Sequence, residues 1–421
     1  MKRPTVASLK KVTAENLANL GAERLAEILV SVAAARPELK RRLRMELAAE
    51  QGAEHLALEI DKRLGSLATS RSKVSWRQRP AFVRDLEALR VLIADRMATL
   101  DPPGALERMW RFLALARPIG RRVRDRDGEA AAVFARSASD LGGMLARHDP
   151  EPAGEALATA LMQDPALWSE WLDPVVAVLP PQAASAALRR LSSAEGASST
   201  WLPLLRRLAD AAGDAHAYRA TFTDAALRTP SAAAEVARRL LAAGDVEQAG
   251  EVLQAAVGKP GRGLIGKARP AEPDFDWEGV WIDYLERCGR TADAQAARWV
   301  SFERTLSAAR AREFTTRLPD FEDVEAEQRA FAYAAAHSDF ERGLAFLMAW
   351  PALPEAARMI ETRGEEAAVA AEAAELWATR LRARHPKAAR LLLRKAAAAA
   401  LRRRDFAACE RLTEEAEALG A

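Results

Sequence analysis

The stretch that most constrains this chain is SAAAEVARRLLAAGDVEQAGEVLQAAVGKPG, Ser231 to Gly261. Two apolar helical faces, Val236/Leu240/Leu241 and Val246/Leu253/Val257, flank Gly244-Asp245. A glycine can end one helix in the left-handed conformation, and an aspartate can cap the next. The spacing therefore predicts a helical hairpin. Ala237 and Leu240 on the first helix, Ala249, Leu253 and Ala256 on the second, and Pro260 beyond it fall where a tetratricopeptide-type repeat places its small and large residues. Gly213-Asp214, Tyr218, Phe222, Ala225 and Pro230 repeat the pattern 31 residues earlier, with proline one position out of step. Gly289 with Ala294, Asp339 with Gly343 and Asp405 with Cys409 are weaker echoes at irregular distances, so the array is degenerate.

Composition agrees with helix throughout. Ala, Leu, Arg and Glu dominate, aromatics are 6%, and no period-2 strand pattern stands out. The expected fold class is all-α: a net-basic N-terminal helical domain over 1–150, then a superhelical α-solenoid of TPR-like hairpins over 151–421, with a Gly/Pro-rich loop at 258–276. In the N-terminal part Thr13 caps a first helix, with a break at Gly21. Its apolar stripe, Leu25, Ile28, Leu29 and Val32, is expected to be buried, and Leu39, Leu43 and Leu47 form the stripe of the next helix. Between 151 and 191, Pro165, Pro174 and Pro180-Pro181 are expected to break and redirect the chain.

Charge is unevenly distributed. Residues 1–150 hold 28 Lys and Arg against 19 Asp and Glu, whereas the remainder holds 34 against 40. A basic front points to an acidic partner, either nucleic acid or protein. The candidate contacts are a helical stripe, Arg36, Lys40 and Arg44, and a connector with an aromatic ring, Arg71, Lys73, Trp76, Arg77 and Arg79. Guanidinium groups beside a stacking ring can track a phosphate backbone. The same residues can instead form a salt-bridged face, with arginine fixed on tryptophan.

Other motifs carry less. GRGLIGKA, Gly261 to Ala268, fits the glycine and lysine positions of a phosphate loop. It lacks the Ser or Thr that holds magnesium, and no strand precedes it. Arg262 and Lys267 remain only as candidate loop contacts. The acidic run Asp320, Glu322, Asp323, Glu325 and Glu327 suits a helix N-terminus better than a metal. Arg298, Arg304 or Arg317 are its expected partners. The five histidines form no i, i+4 pair and no nucleophile motif appears, so no catalytic residue, metal or cofactor is expected. Trp168/Trp171, Trp277/Trp281 and Trp299 read as inter-helix packing. Two lone cysteines, the absence of an apolar leader pattern and the absence of a membrane-span window predict a soluble cytoplasmic protein.

Several segments together carry a resemblance: LGAERLAEIL (20–29), LKRRLRMELAAEQG (39–52), SRSKVSWRQRPAFVRDLEALR (70–90), ARRLLAAGDVEQA (237–249), RWVSFERTLSAARAREFTTRLPDFEDVEAE (298–327) and RARHPKAARLLLRKA (382–396). The chain resembles an uncharacterised bacterial all-helical family. That resemblance implies a repeat-like helical fold and no activity. Some relatives look as if they are joined to a zinc-binding module, for which this chain lacks the Cys/His spacing. The leading functional expectation is an interaction scaffold for an unidentified protein partner. The alternative is a nucleic-acid-associated protein using the basic front, and an enzyme comes third. The test between the first two is whether the basic residues converge on one uncovered surface or are neutralised by acids.

Overall fold

The computed structural model describes residues 12–193, 201–257, 274–366 and 369–419. The protein is all-α; among the described residues the one backbone pairing of β type is an isolated bridge between Val74 and Val123. The chain divides into two compact units, Met1–Phe222 and Thr223–Ala421. The expected boundary at 150 falls inside the first unit, at the start of the helix Pro150–Gln163.

Two short-range devices start most of the helices. Asp101, Asp164, Asp214, Asp245, Asp274, Asp339 and Asp405 each accept a hydrogen bond from the backbone N–H three residues on, satisfying a donor the helix itself cannot. Proline opens others, including Pro37–Glu50, Pro181–Ser192, Pro230–Ala242 and Pro386–Arg402, because its missing N–H is one of those unsatisfied donors. Pro174 departs from the expected break. It lies within Pro165–Val176, and near a helix end its cost is a single bond, to the carbonyl of the exposed Glu170, where water can replace it.

In the second unit the helix pairs Pro230–Ala242/Val246–Ala256, Phe275–Arg287/Thr291–Thr305 and Pro386–Arg402/Phe406–Ala418 share one turn. The Asp245, Arg290 and Asp405 N–H groups return to the carbonyls of Leu240, Leu285 and Ala400 at 2.9, 2.9 and 3.0 Å. The residue before each sits at positive φ: Gly244 at 85°, Gly289 at 72° and Arg404 at 63°. This is the glycine-type helix stop; it is shared by the echoes at Gly289 and Asp405 and not by that at Asp339. In the earlier copy, Asp214 returns to Ala209 in the same way, but its second helix, Ala215–Ala220, ends before Phe222.

Cores form within each unit. In the first, Leu56, Ile60, Leu86, Ile93, Met109 and Phe112 are buried, and the helices Glu129–Leu145 and Pro165–Val176 pack on one another. In the second, Phe302, Leu344, Leu347, Ile360 and Leu392 belong to one continuous cluster. Trp168, Trp171, Trp277 and Trp299 are buried and Trp281 is half-buried.

The N-terminal stripe overturns an expectation. Ala22–Ala34 packs on Pro37–Glu50 and buries only Ala33. Ile28, Leu29 and Val32 are exposed, Leu25 is half-buried, and Leu17 and Leu20 add to the same exposed apolar set. On the next helix Leu39 and Leu43 are half-buried, Leu47 is exposed, and Met45, Ala48 and Ala49 supply the buried face. Periodicity identified the apolar face, but no described element covers it.

Candidate functional site

Two connectors far apart in sequence are laid side by side in the first unit. One runs over 70–78, between Ala53–Thr69 and Arg79–Val91; the other runs over 121–128, leading into Glu129–Leu145. Arg122 ties them. Its guanidinium donates to the Leu67 carbonyl at 3.0 Å, the Ser72 carbonyl at 2.9 Å and Ser70 Oγ at 2.8 Å. The Arg122 carbonyl accepts from Val74 N at 3.0 Å. Arg79 closes the far end, donating to the Arg124 carbonyl at 3.2 Å and pairing with Asp127 and, at 3.7 Å, with Glu129. Two guanidinium groups are thus spent on holding backbone, which leaves the others on each connector facing solvent.

Those others are Arg71, Lys73 and Arg77 on the first connector and Arg121, Arg124 and Arg126 on the second; all six are exposed and none has a carboxylate partner among the described residues. Asp125, the acid between them, accepts from Ala131 N at 2.9 Å. Trp76, on the first connector, is 76% exposed, with the Arg77 guanidinium 5.2 Å from its ring centre. Of the ten tryptophans, all within the described residues, it alone is exposed. An exposed indole stands out because the ring is one of the largest apolar surfaces a side chain can bury.

The sequence-level candidates therefore divide. Arg71, Lys73, Trp76 and Arg77 join the surface, and Arg79 builds it while being neutralised by Asp127 and Glu129. Arg36, Lys40 and Arg44 are exposed and without acid partners among the described residues, but no described contact links them to the connectors. Arg41, next to Lys40, donates instead to Asp85, which also takes Arg63. Arg262 and Lys267 lie outside the described residues, as does all of GRGLIGKA. The candidates drawn from the sequence did not include Arg121, Arg124 and Arg126, which lie in RRVRDRDG, residues 121–128. Its four arginines in six positions exceed the cation density of the first connector and were the available signal.

The second unit holds a different charged cluster. Glu278, 8% exposed, accepts two bonds from Arg304, both at 2.8 Å, and one from Ser301 at 2.7 Å. Arg298, 2% exposed, pairs with Glu286, which also takes Arg317 at 3.0 Å. Arg310 is buried between Ser301 and Glu313. The three arginines assigned to the acidic run thus bind Glu278 and Glu286 instead. Glu322, Asp323 and Glu325 occupy the first turn of Glu322–Ala336, where the helix dipole favours them. Desolvation pushes the Glu286 carboxyl up, but hydrogen bonding and charge from Arg298 and Arg317 bring it below the usual glutamate range. Asp283 is held above the usual aspartate range, first by desolvation and then by the like charges of Glu286 and Glu313, against the pull of Arg298 and Arg310. Such interlocked pairs brace three helices, and we read them as structural. Among the described residues no group of three or more His, Cys, Asp or Glu is placed to hold a metal, and no helix is long and apolar enough to cross a membrane.

Comparison with known proteins returns one family. Its model, DUF6880, described as a family of unknown function, matches residues 7–201 and 182–419, nearly the whole chain. No curated protein matches.

Proposed function

Because the chain belongs to DUF6880, a family of unknown function, its role must be argued from its own surface, and we propose that it is a binding protein that engages single-stranded nucleic acid through the joined connectors of its first unit. One observation carries the reading: two distant segments joined through Arg122 present six exposed cations without acid partners among the described residues, and the first of them also carries the one exposed tryptophan. Cations track phosphates without regard to sequence, and an indole face stacks on any unpaired base. A base inside a duplex offers no free face, so the ring favours a single strand. The two cysteines, Cys288 and Cys409, are unpaired thiols, which supports a reducing, cytoplasmic setting.

The test is fluorescence anisotropy of a labelled single-stranded oligonucleotide at low salt, with its duplex as control. We expect the single strand to bind more tightly and Trp76→Ala to erase most of that difference. No binding at low salt would end the proposal.

A second reading, a TPR-like interaction scaffold for a protein partner, is favoured by the exposed apolar ridge of Leu20, Ile28, Leu29 and Val32. An apolar helix face of that kind is what a partner helix would cover. Affinity purification followed by mass spectrometry of wild-type chain and an Ile28→Asp/Val32→Asp variant tests it: a stoichiometric partner lost from the variant is expected, and identical partner sets would count against it.

A further inference from the structure

Behind the second connector, Ala116–Gly120, Glu129–Leu145 and Pro165–Val176 border a cavity of about 330 Å³. Its walls are Ile119, Val123, Phe134 and Trp171, and its polar lining is Arg117, Asp125 and Glu170. The volume is at the lower end of small-molecule sites, and the balance of apolar wall to few polar groups is theirs as well.

Two lining residues carry buried polar atoms that hydrogen-bond to nothing. They are Asp125 Oδ1, an acceptor, and Trp171 Nε1, a donor. Trp171 is 7% exposed and sits 6.2 Å from Phe134, centre to centre. The other Asp125 oxygen is occupied by Ala131 N at 2.9 Å, which fixes the carboxylate in place. Leaving buried polar atoms unmet is unfavourable and uncommon, so each such atom calls for a missing partner. An acceptor and a donor on one cavity call for a molecule that presents both.

The charges narrow the chemistry. Arg117 is already paired with Asp164 at 3.1 Å. Glu170 has no cation partner among the described residues, and Asp125 has a free oxygen. Two carboxylates beside two aromatic rings suit a cation, through charge-assisted hydrogen bonds and the ring faces. We propose that this cavity binds a small aryl-alkyl ammonium compound with an oxygen acceptor, its amine on Asp125 and Glu170 and its oxygen on Trp171. The proposal stands apart from the nucleic-acid reading, since the connector cations take no part in it.

Titration calorimetry of the full chain with tyramine, against 4-hydroxyphenylacetate, tests this. The second probe keeps the ring and hydroxyl but reverses the charge. We expect tyramine to bind and the anion not to, with Glu170→Gln and Asp125→Asn each weakening tyramine about tenfold or more. Glu170 is exposed, so its variant keeps the test open if Asp125→Asn fails to fold. Crystals grown with tyramine should show its amine at Asp125 Oδ1. Four results would overturn the idea: no heat from tyramine, equal affinity for both probes, tyramine affinity unchanged in both variants, or a single ordered water joining Asp125 to Trp171 in place of the amine.

Discussion

If the joined connectors bind a phosphate backbone, salt should report how many cations take part. For a single strand, each phosphate neutralised contributes about −0.7 to the slope of log affinity against log salt. Six cations are exposed there without acid partners among the described residues, Arg71, Lys73, Arg77, Arg121, Arg124 and Arg126. Full engagement gives a slope of about −4, so affinity should fall by roughly 300-fold between about 50 and 200 mM salt. Converting Arg121, Arg124 and Arg126 together to Gln removes half of them and should reduce the slope to about −2. These side chains make no described contact that holds the fold, so the circular dichroism spectrum should be unchanged. Trp76→Ala should act otherwise: about 1 to 3 kcal/mol weaker at every salt concentration, with the slope intact, because stacking releases no counterions. Anisotropy titrations at five or so salt concentrations separate the two effects. A slope unmoved by the triple variant would refute the placement of the strand on this surface, and a Trp76→Ala effect confined to low salt would refute stacking.

Three further outcomes follow from the packing. Gly142 and Gly143 are neighbours in Glu129–Leu145, but a Cβ at 142 would meet the Val175 carbonyl at 2.4 Å while one at 143 meets nothing within 4 Å. Urea denaturation should show Gly143→Ala stabilising by roughly 0.5 to 1 kcal/mol through helix propensity, and Gly142→Ala destabilising by a net ~1 to 2 kcal/mol, since the helices must part; the same sign at both sites would refute this. Arg404 holds φ 63° where the sister turns have glycine, so Arg404→Gly should gain about 1 kcal/mol, read as a higher thermal midpoint, and a loss would mean the side chain contributes more than the strain. Acid stability should divide by group. The depressed Glu286 and Glu87, the latter pushed up by desolvation but pulled further down by Arg90 and Arg136, contribute stability above the ordinary glutamate pKa that is lost as pH falls through their lowered values. The raised Asp283 does the reverse: its ionisation costs stability as pH rises from the ordinary aspartate pKa through the raised value, so Asp283→Asn should stabilise at neutral pH and not at about pH 3.

What could be read from the letters alone followed the range of the interaction. Helix ends were legible because a cap is settled within three residues: Asp245 caps where the spacing placed it, and Asp339 and Asp405, read only as weaker echoes of that pattern, cap as well. The first connector was legible because its cations and ring lie within one short run. The second was not, since nothing in RRVRDRDG announces that Arg122 will donate to Leu67, Ser70 and Ser72 and so join three more exposed cations to the first connector. Arg298 failed for a related reason. The sequence assigned it to the acidic run 320–327, and only the packing of Phe275–Arg287 against Thr291–Thr305 buries its guanidinium on Glu286.

The N-terminal ridge is the instructive miss, because there the pattern was right and the inference from it was not. An i, i+3, i+4, i+7 stripe states which face of a helix water disfavours, but says nothing of what covers it. Within a domain the cover is supplied by the next element, and Pro37–Glu50 supplies only enough for Ala33. The cost of leaving Ile28, Leu29 and Val32 in water is about 25 cal/mol for each Å² of apolar surface that a partner would remove. A ridge of this kind is therefore a standing source of binding energy, and it lies on the same unit as the cationic connectors. The two surfaces make opposite demands of salt: screening weakens the connectors and leaves apolar contact intact. Association that survives high salt and disappears in Ile28→Asp would belong to the ridge, and association lost with salt but indifferent to Ile28→Asp would belong to the connectors.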